Sequence, residues 1–232
     1  MPAANEIISY LAMCQRESMS LQRGMNFDFG RGYSVILMSV RRHAPYCDQL
    51  QDDGATLIYE GHDAPRSEGL PDPKTVDQPE FTPAGSPTQN RKFYDAAENY
   101  QRGLGNPHPV KVYEKIHQGI WSYNGIFQLV DAWRERSQGR SVFKFKLIAV
   151  PGSEDSANRP RQDRTEARRL IPTQVKIEVW NRDKGRCVLC GAVDELHFDH
   201  VLPFSKGGTS LTADNVQLLC ARHNLSKGGK IQ

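Results

Sequence analysis

No run of 18 apolar residues occurs in the 232-residue chain, so no membrane-spanning helix is expected. The first twenty residues, MPAANEIISYLAMCQRESMS, lack a basic start and an uninterrupted apolar stretch, which argues against a secretory leader. Cysteine is scarce and odd in number: five in all, three of them within 187–220. A secreted disulfide scaffold is not built that way, whereas a reducing, cytoplasmic compartment with a metal-bound cluster fits. A large charge of one sign is also missing. Thirty Lys and Arg against 27 Asp and Glu leave a net charge of +3. The excess sits in residues 151–232, with 13 basic against 10 acidic side chains, and is too weak to identify a nucleic-acid partner alone. An apolar fraction of 38% is low but sufficient for one core or two. There is no internal repeat.

What is there falls into two parts. Residues 5–20 read as a short helix carrying Ile7, Ile8, Leu11 and Met13. YSVILMSV (33–40) and ATLIYEG (55–61) have strand length and β-branched content. Residues 62–90, rich in Pro, Asp, Ser and Gly, read as a long loop. A helix over 91–103 stops at Gly103. Strands are expected at 110–116, 125–133 and 141–150. The last alternates Val142, Lys144 and Lys146 against Phe143, Phe145 and Leu147. Many strands and few helices predict an α+β chain whose residues 1–150 form a curved sheet or barrel. PGSEDSANRPRQDR (151–164) has linker composition. A second domain over 165–232 opens with a helix at 171–185, Pro172 in its first turn and Gly185 at its end.

CVLC (187–190) and CARH (220–223) share a two-residue gap. Thiolates and imidazole suit tetrahedral zinc, and a small domain gains most from such a staple. Cys187, Cys190, Cys220 and His223 are therefore the expected ligands of a structural Zn2+. That leaves His200, Asp199, Asn215 and Asn224 unspent.

CVLCG, FDHVLPFSKGG, DNVQLLC and HNLSKGG together resemble the HNH (ββα-metal) nuclease family over about 165–232. The resemblance implies that His200 activates water as general base and that Asp199 and Asn224 hold a catalytic divalent metal, Mg2+ or another such as Mn2+. It implies that Asn215 orients the His200 ring. CARHN departs from the family's commoner knuckle, so His223 and Asn224 are open to an exchange of roles. The chemistry is coherent. A neutral His takes a proton near pH 7, and a hard cation with few protein ligands stays open to phosphate oxygens. Lys206 and Lys227, beside glycines, are candidates for contacts to the DNA backbone. His197 reads as a strand residue near the site rather than a ligand.

Residues 33–61 and 119–133 resemble the SRA (SET- and RING-associated) family, which reads modified cytosine by flipping the base. The residues that carry this are Tyr46, Asp48, YEG (59–61) and YNGIF (123–127), where Asn124 stands for the usual Asp. The resemblance implies that Tyr46 and Tyr59 stack on the flipped base and that Asp48 accepts from its exocyclic amine. The spacing is off by about one residue, which leaves Gln49 open as the reader. Arg41 and Arg42, with His43 beside them, are further candidates for phosphate contacts or for filling the gap left by the base. Lys144 and Lys146 read as phosphate contacts or as a solvated face. Trp121 and Trp133 read as core.

The combined expectation is an SRA-like curved β-barrel domain followed by a small zinc-stapled HNH domain. It would act as a modification-dependent DNA endonuclease on double-stranded DNA containing 5-methylcytosine or 5-hydroxymethylcytosine. Double-strand cleavage by one site per chain suggests a homodimer. The alternatives are a nicking or repair nuclease reading another modification, and a non-catalytic DNA-binding sensor.

Overall fold

A computed structural model describes residues 4–51, 54–150, 170–203 and 206–228. The expected linker, 151–164, lies outside the described residues. The architecture is α+β, with one large sheet carrying most of the chain and a small ββα unit beside it.

The sheet runs in the order β2 (Met25–Asn26), β3 (Ser34–Met38), β6 (His108–His117), β7 (Ile120–Ser137), β8 (Arg140–Ala149), β5 (Thr56–Glu60), β4 (Gln49–Gln51). Strand β1 (Ile7–Ser9) lies off this path and pairs with β7. Among the described residues, only β3 and β6 pair in parallel. A barrel is not closed by the described strands, so the expected curved sheet is present as an open one. Its curvature has a visible cause in β7, whose register shifts against β8 between Leu129 and Asp131 and against β6 at Val112/Tyr113. Extra residues of this kind bend a strand and increase its twist.

Residues 5–20 are not one helix. Ile7 and Ile8, β-branched and beside an open edge, pair with Ser122 and Trp121 of β7. Only then does α1 (Tyr10–Arg16) begin, capped by the Ser9 side chain accepting from the Ala12 amide. Helix α2 (Gln89–Gln101) starts on the Thr88 hydroxyl in the same way and buries Phe93 and Ala97 against the sheet. Segment 62–88 contains no helix or strand, apart from an isolated bridge between Phe81 and Pro87, as its composition requires.

The ββα unit comprises α3 (Thr173–Arg182), β9 (Leu196–His200), β10 (Val216–Cys220) and α4 (Ala221–Lys227). Strands β9 and β10 are antiparallel, with Val216 opposite His200 and Cys220 opposite Leu196. Their apolar residues Phe198, Val216 and Leu218 close on Ile171, just before α3, and on Val175 and Val179 along it. The same cluster takes in Ile116 of β6 and Ile7 of β1. The two units thus share one apolar seam. Backbone pairing reinforces it, because the Phe198 amide donates to the Asn5 carbonyl and Glu6 bridges to His197. Among the described residues, no helix is long and apolar enough to cross a membrane.

Candidate functional site

The ββα unit assembles two sets of side chains. The first is Cys187, Cys190, Cys220 and His223, whose ligand atoms all lie within 4.8 Å of one another. Cys187 and Cys190 sit in the turn before β9, Cys220 ends β10, and His223 occupies the first turn of α4. His223 Nδ1 lies 3.3 Å from Cys187 Sγ and 3.4 Å from Cys220 Sγ, and the sulfurs of Cys190 and Cys220 are 3.9 Å apart. A tetrahedral ion about 2.3 Å from sulfur holds its ligands about 3.7 Å apart, so the four side chains fit zinc. Burial pushes the Cys187 thiol up, but hydrogen bonds from the Cys220 backbone and from His223 outweigh it and bring it down to about 6. A thiol that ionises so readily is a ready metal ligand.

The second set lies at the far end of β9. Asp199 and His200 are consecutive, so their side chains leave opposite faces of the strand. The Asp199 carboxylate and the His200 carbonyl both accept from the Lys227 ammonium at the end of α4. Lys227 is buried. It is therefore an internal cation here rather than an exposed backbone contact, which corrects the expectation for that residue. Two oxygens already cradling a positive charge are a fitting seat for a hard cation. Asn224 precedes Lys227 by three residues on α4, so it shares the helix face that reaches Asp199.

The His200 ring is half-buried, and burial lowers its pKa, with the Lys227 charge acting in the same direction and Asp199 against it. The ring is neutral near pH 7. Its Nε2 lies 2.8 Å from the Ser210 hydroxyl. Asn215 does not hold this ring. Its amide accepts from the Leu202 amide at 2.8 Å and donates to the Leu202 and Thr209 carbonyls at 3.0 and 2.8 Å. These three bonds close the loop between β9 and β10. Ser210, fully buried, is the ring's partner, and no sequence signal singled it out. Gly208 belongs to the same closure. A Cβ there would fall 1.8 Å from the Leu202 carbonyl oxygen, so the glycine is required by the loop itself. Lys206 remains exposed in the loop. His197, as expected, is a strand residue, opposite Leu219, with its Nδ1 buried and unpartnered among the described residues.

The sheet carries a third cluster, on β4, β5 and the turns around them. Tyr46, Asp48 and Tyr59 are brought together. Asp48 accepts from the amides of Ser39, at 3.0 Å, and Glu60, at 3.1 Å. Burial drives its pKa up, with the neighbouring Glu60 charge adding to it, to about 7 despite those two amides and Lys144. Tyr46 is half-buried and its hydroxyl accepts from the Asp63 amide. Tyr59 is only 1% exposed and packs in the main core. Its hydroxyl lies 2.8 Å from His62 Nε2, and the His62 ring stacks on Tyr46 with centroids 4.5 Å apart. Gln49 is exposed and, with Asp48, lines a cleft of about 540 Å3 whose other wall is Leu170–Thr173.

Beneath this cluster lies a buried charge network that sequence reasoning missed. Lys144 donates to Glu60 at 3.0 Å and to the Cys47 carbonyl, and Arg140 pairs with Asp63. Lys144 is 3% exposed, so it is neither a phosphate contact nor a solvated face. Lys146 is half-buried. Arg42 and His43 are exposed in the turn after β3, with Arg41 half-buried beside them. Trp121 is core, packed with Ile8, Met13 and Tyr123. Trp133 is not. It is half-buried and donates to Glu135 at 2.9 Å.

Comparison with known proteins gives three findings. The HNH endonuclease family matches residues 187–230, which are an HNH endonuclease domain. No curated protein matches the chain. Among solved structures, the chain is similar to the SUVH5 SRA domain in complex with hemimethylated CG DNA, at 23% identity over 66% of this chain and 90% of that one, with a TM-score of 0.45. It is also similar to the modification-dependent TagI restriction endonuclease, at 20% identity over 97% of this chain and 77% of that one, with a TM-score of 0.39. A further likeness is to Arabidopsis thaliana SUVH6, at 18% identity over 66% of this chain and 25% of that one, with a TM-score of 0.41.

Proposed function

We propose that the chain is a modification-dependent DNA endonuclease in which residues 1–150 read a modified cytosine and residues 165–232 cut the backbone. The observation that carries the reading is the end of β9. There a neutral His200, its ring fixed by Ser210, stands next to an Asp199 carboxylate that already seats a cation, inside a segment matching the HNH endonuclease family.

Each side chain has a task. In the tautomer that carries its hydrogen on Nε2 and donates it to Ser210, His200 keeps its lone pair on Nδ1, where it can take a proton from water. Asp199 and Asn224 would hold a divalent cation, Mg2+ or Mn2+. Once bound, that cation stabilises the charge that builds on the phosphate oxygens. Lys227 keeps the Asp199 carboxylate oriented until then. Cys187, Cys190, Cys220 and His223 hold the structural Zn2+ and so fix α4 against β10.

The target is double-stranded DNA bearing 5-methylcytosine or 5-hydroxymethylcytosine. Tyr46, Asp48 and Tyr59 form the pocket for the extruded base, with the Asp48 carboxylate accepting from its exocyclic amine. Arg41, Arg42 and Lys206 contact phosphates, and a homodimer delivers the two strand cuts. The test is cleavage of matched plasmids with and without 5-methylcytosine by protein supplied with zinc and Mg2+. Cutting of the modified plasmid alone is expected. Equal cutting of both would remove the base-reading half of the proposal, and no cutting of either would remove the nuclease half.

A further inference from the structure

His62 was not among the residues that the sequence marked for base reading, yet it lies between two that were. Its imidazole is parallel to the Tyr46 ring, 7° between planes and 4.5 Å between centroids, the geometry of one aromatic ring stacked on another. Its Nε2 meets the Tyr59 hydroxyl at 2.8 Å, and its centroid is 5.9 Å from that of Tyr59. The opposite face of Tyr46 is taken as well. Lys74 Nζ lies 4.0 Å from the ring centroid, and it cannot share a face with a ring stacked at 4.5 Å. Neither face of Tyr46 is therefore open to a base.

The two covers differ in how they are held. Lys74 is 43% exposed and tethered to Asp63 through its flexible stem. His62 is part of the frame. Its amide donates to Asn90 Oδ1, and its carbonyl accepts from Asn90 Nδ2, both at 2.8 Å. On its edge it abuts the backbone at Gly24, where a Cβ would fall 2.6 Å from the ring. Burial lowers the pKa of the ring to about 4, so at neutral pH it is an uncharged, flat heterocycle. Such a ring is a fair imitation of a base in stacking. Because the same ring bonds the Tyr59 hydroxyl, the face of Tyr46 that it covers is the one on the Tyr59 side.

We infer that His62 is a specificity-determining residue of the pocket: its side chain occupies the stacking place of the extruded base and must rotate away for the base to enter. This rests on the base-reading proposal. Displacing the ring gives up a stack and a hydrogen bond on every entry. The open pocket is thus a minor state, and apparent affinity falls by the fraction that is open. Phosphate-driven binding, which does not enter the pocket, is unaffected. The ring therefore raises the threshold for base entry above the background of non-specific binding. An unmodified cytosine that gains little inside stays below that threshold.

The experiment is a titration of the full-length protein, at fixed salt and without Mg2+, against duplexes that differ only in one 5-methylcytosine. A second pair of duplexes carries a fluorescent cytosine analogue at that position to report extrusion. His62→Ala is expected to tighten binding to the modified duplex about tenfold and to raise the extruded signal, because the open fraction rises. His62→Phe, which keeps a stacked ring but cannot bond Tyr59, removes only part of the displacement cost and is expected to tighten binding to the modified duplex less than His62→Ala does. Graded tightening at one position separates displacement from loss of fold, which would weaken binding in both variants. Lys74→Ala is expected to leave the preference for the modified duplex in place. A wild type that prefers the modified duplex, with His62→Ala unchanged or weaker, overturns the inference and leaves base reading intact. Tightening by Lys74→Ala instead would place the base on the other face of Tyr46 and overturn it equally. A wild type with no preference removes base reading, and this inference with it.

Discussion

His200 ends β9 with its Nε2 on Ser210 and its pKa held down by burial. If it is the general base, His200→Ala lowers cleavage by about two or more orders of magnitude. Binding of the same DNA survives, measured on one preparation by gel shift and by cleavage. Near-normal cleavage would end the assignment. The family resemblance gave the support of the His200 ring to Asn215, but a motif does not say where an amide's hydrogen bonds go. The Asn215 amide puts three hydrogen bonds into the loop, and the ring meets the buried Ser210 hydroxyl instead. Asp48 offers a second prediction. An aspartate in the unfolded chain gives up its proton near 3.8, whereas this one, chiefly through burial, keeps it to about 7. The folded state binds more protons between those values. Its contribution to stability is complete below about pH 4 and is lost as pH rises to about 7. His62, lowered from 6.5 to about 4, acts with the opposite sign, its contribution being present above pH 6.5 and lost as pH falls toward 4. The difference between wild type and Asp48→Asn cancels His62. Melting temperatures should therefore move in favour of the variant from pH 4 to 7 and stay level above. A difference independent of pH would mean that Asp48 is not held protonated.

Strands β9 and β10 and helix α4 are an element that the cysteines close. Cys187 and Cys190 come before β9, while Cys220 and His223 lie across the β10–α4 junction, so one ion held there would tie the turn to the helix that carries Asn224 and Lys227. Metal-binding energy at such a site is folding energy. Cys187→Ala, or exhaustive chelation, is expected to melt the ββα unit and abolish cleavage together. Elemental analysis should give one zinc per chain in dialysed wild type. A dialysed protein without zinc but with an unchanged melting profile would refute the site. At this scale the sequence was most legible where a pattern was long. Strands β3, β5, β6 and β8 and helices α2 and α3 fall close to where apolar content and terminal residues put them. The short strands β1, β2 and β4 were invisible, because two or three residues carry no period and are made strands only by a partner. Lys144 misled for a related reason. Alternation marks which face a side chain takes, but not that Glu60 waits there to neutralise a buried ammonium.

On the scale of the whole molecule, the two units meet around a charge that no pattern announced. Lys176 of α3 and Glu114 of β6 are both fully buried, with Nζ 2.8 Å from Oε2. Asn124 of β7 accepts from the same ammonium at 2.8 Å and donates to the same carboxylate at 3.0 Å, and Thr173 donates to its other oxygen. Every polar atom of the pair thus faces a partner across the seam. Removing one member of a buried pair leaves an uncompensated charge and costs about 3–5 kcal/mol, whereas replacing both with apolar side chains is often near neutral. Lys176→Met should therefore destabilise the protein strongly in urea, and Lys176→Met with Glu114→Leu should recover most of the loss. Additive losses would show that the two residues do not act as a pair. The orientation of the seam also has a consequence for cutting. It fixes β9, with Asp199 and His200, relative to the sheet that carries Tyr46 and Asp48. On a duplex with a single modified cytosine, a rigid seam predicts a narrow set of cut positions for the wild type. Lys176→Met, assayed at a temperature where it remains folded, should spread that set. An unchanged cut pattern in a destabilised variant would show that the DNA, rather than this buried pair, sets the distance between reading and cutting.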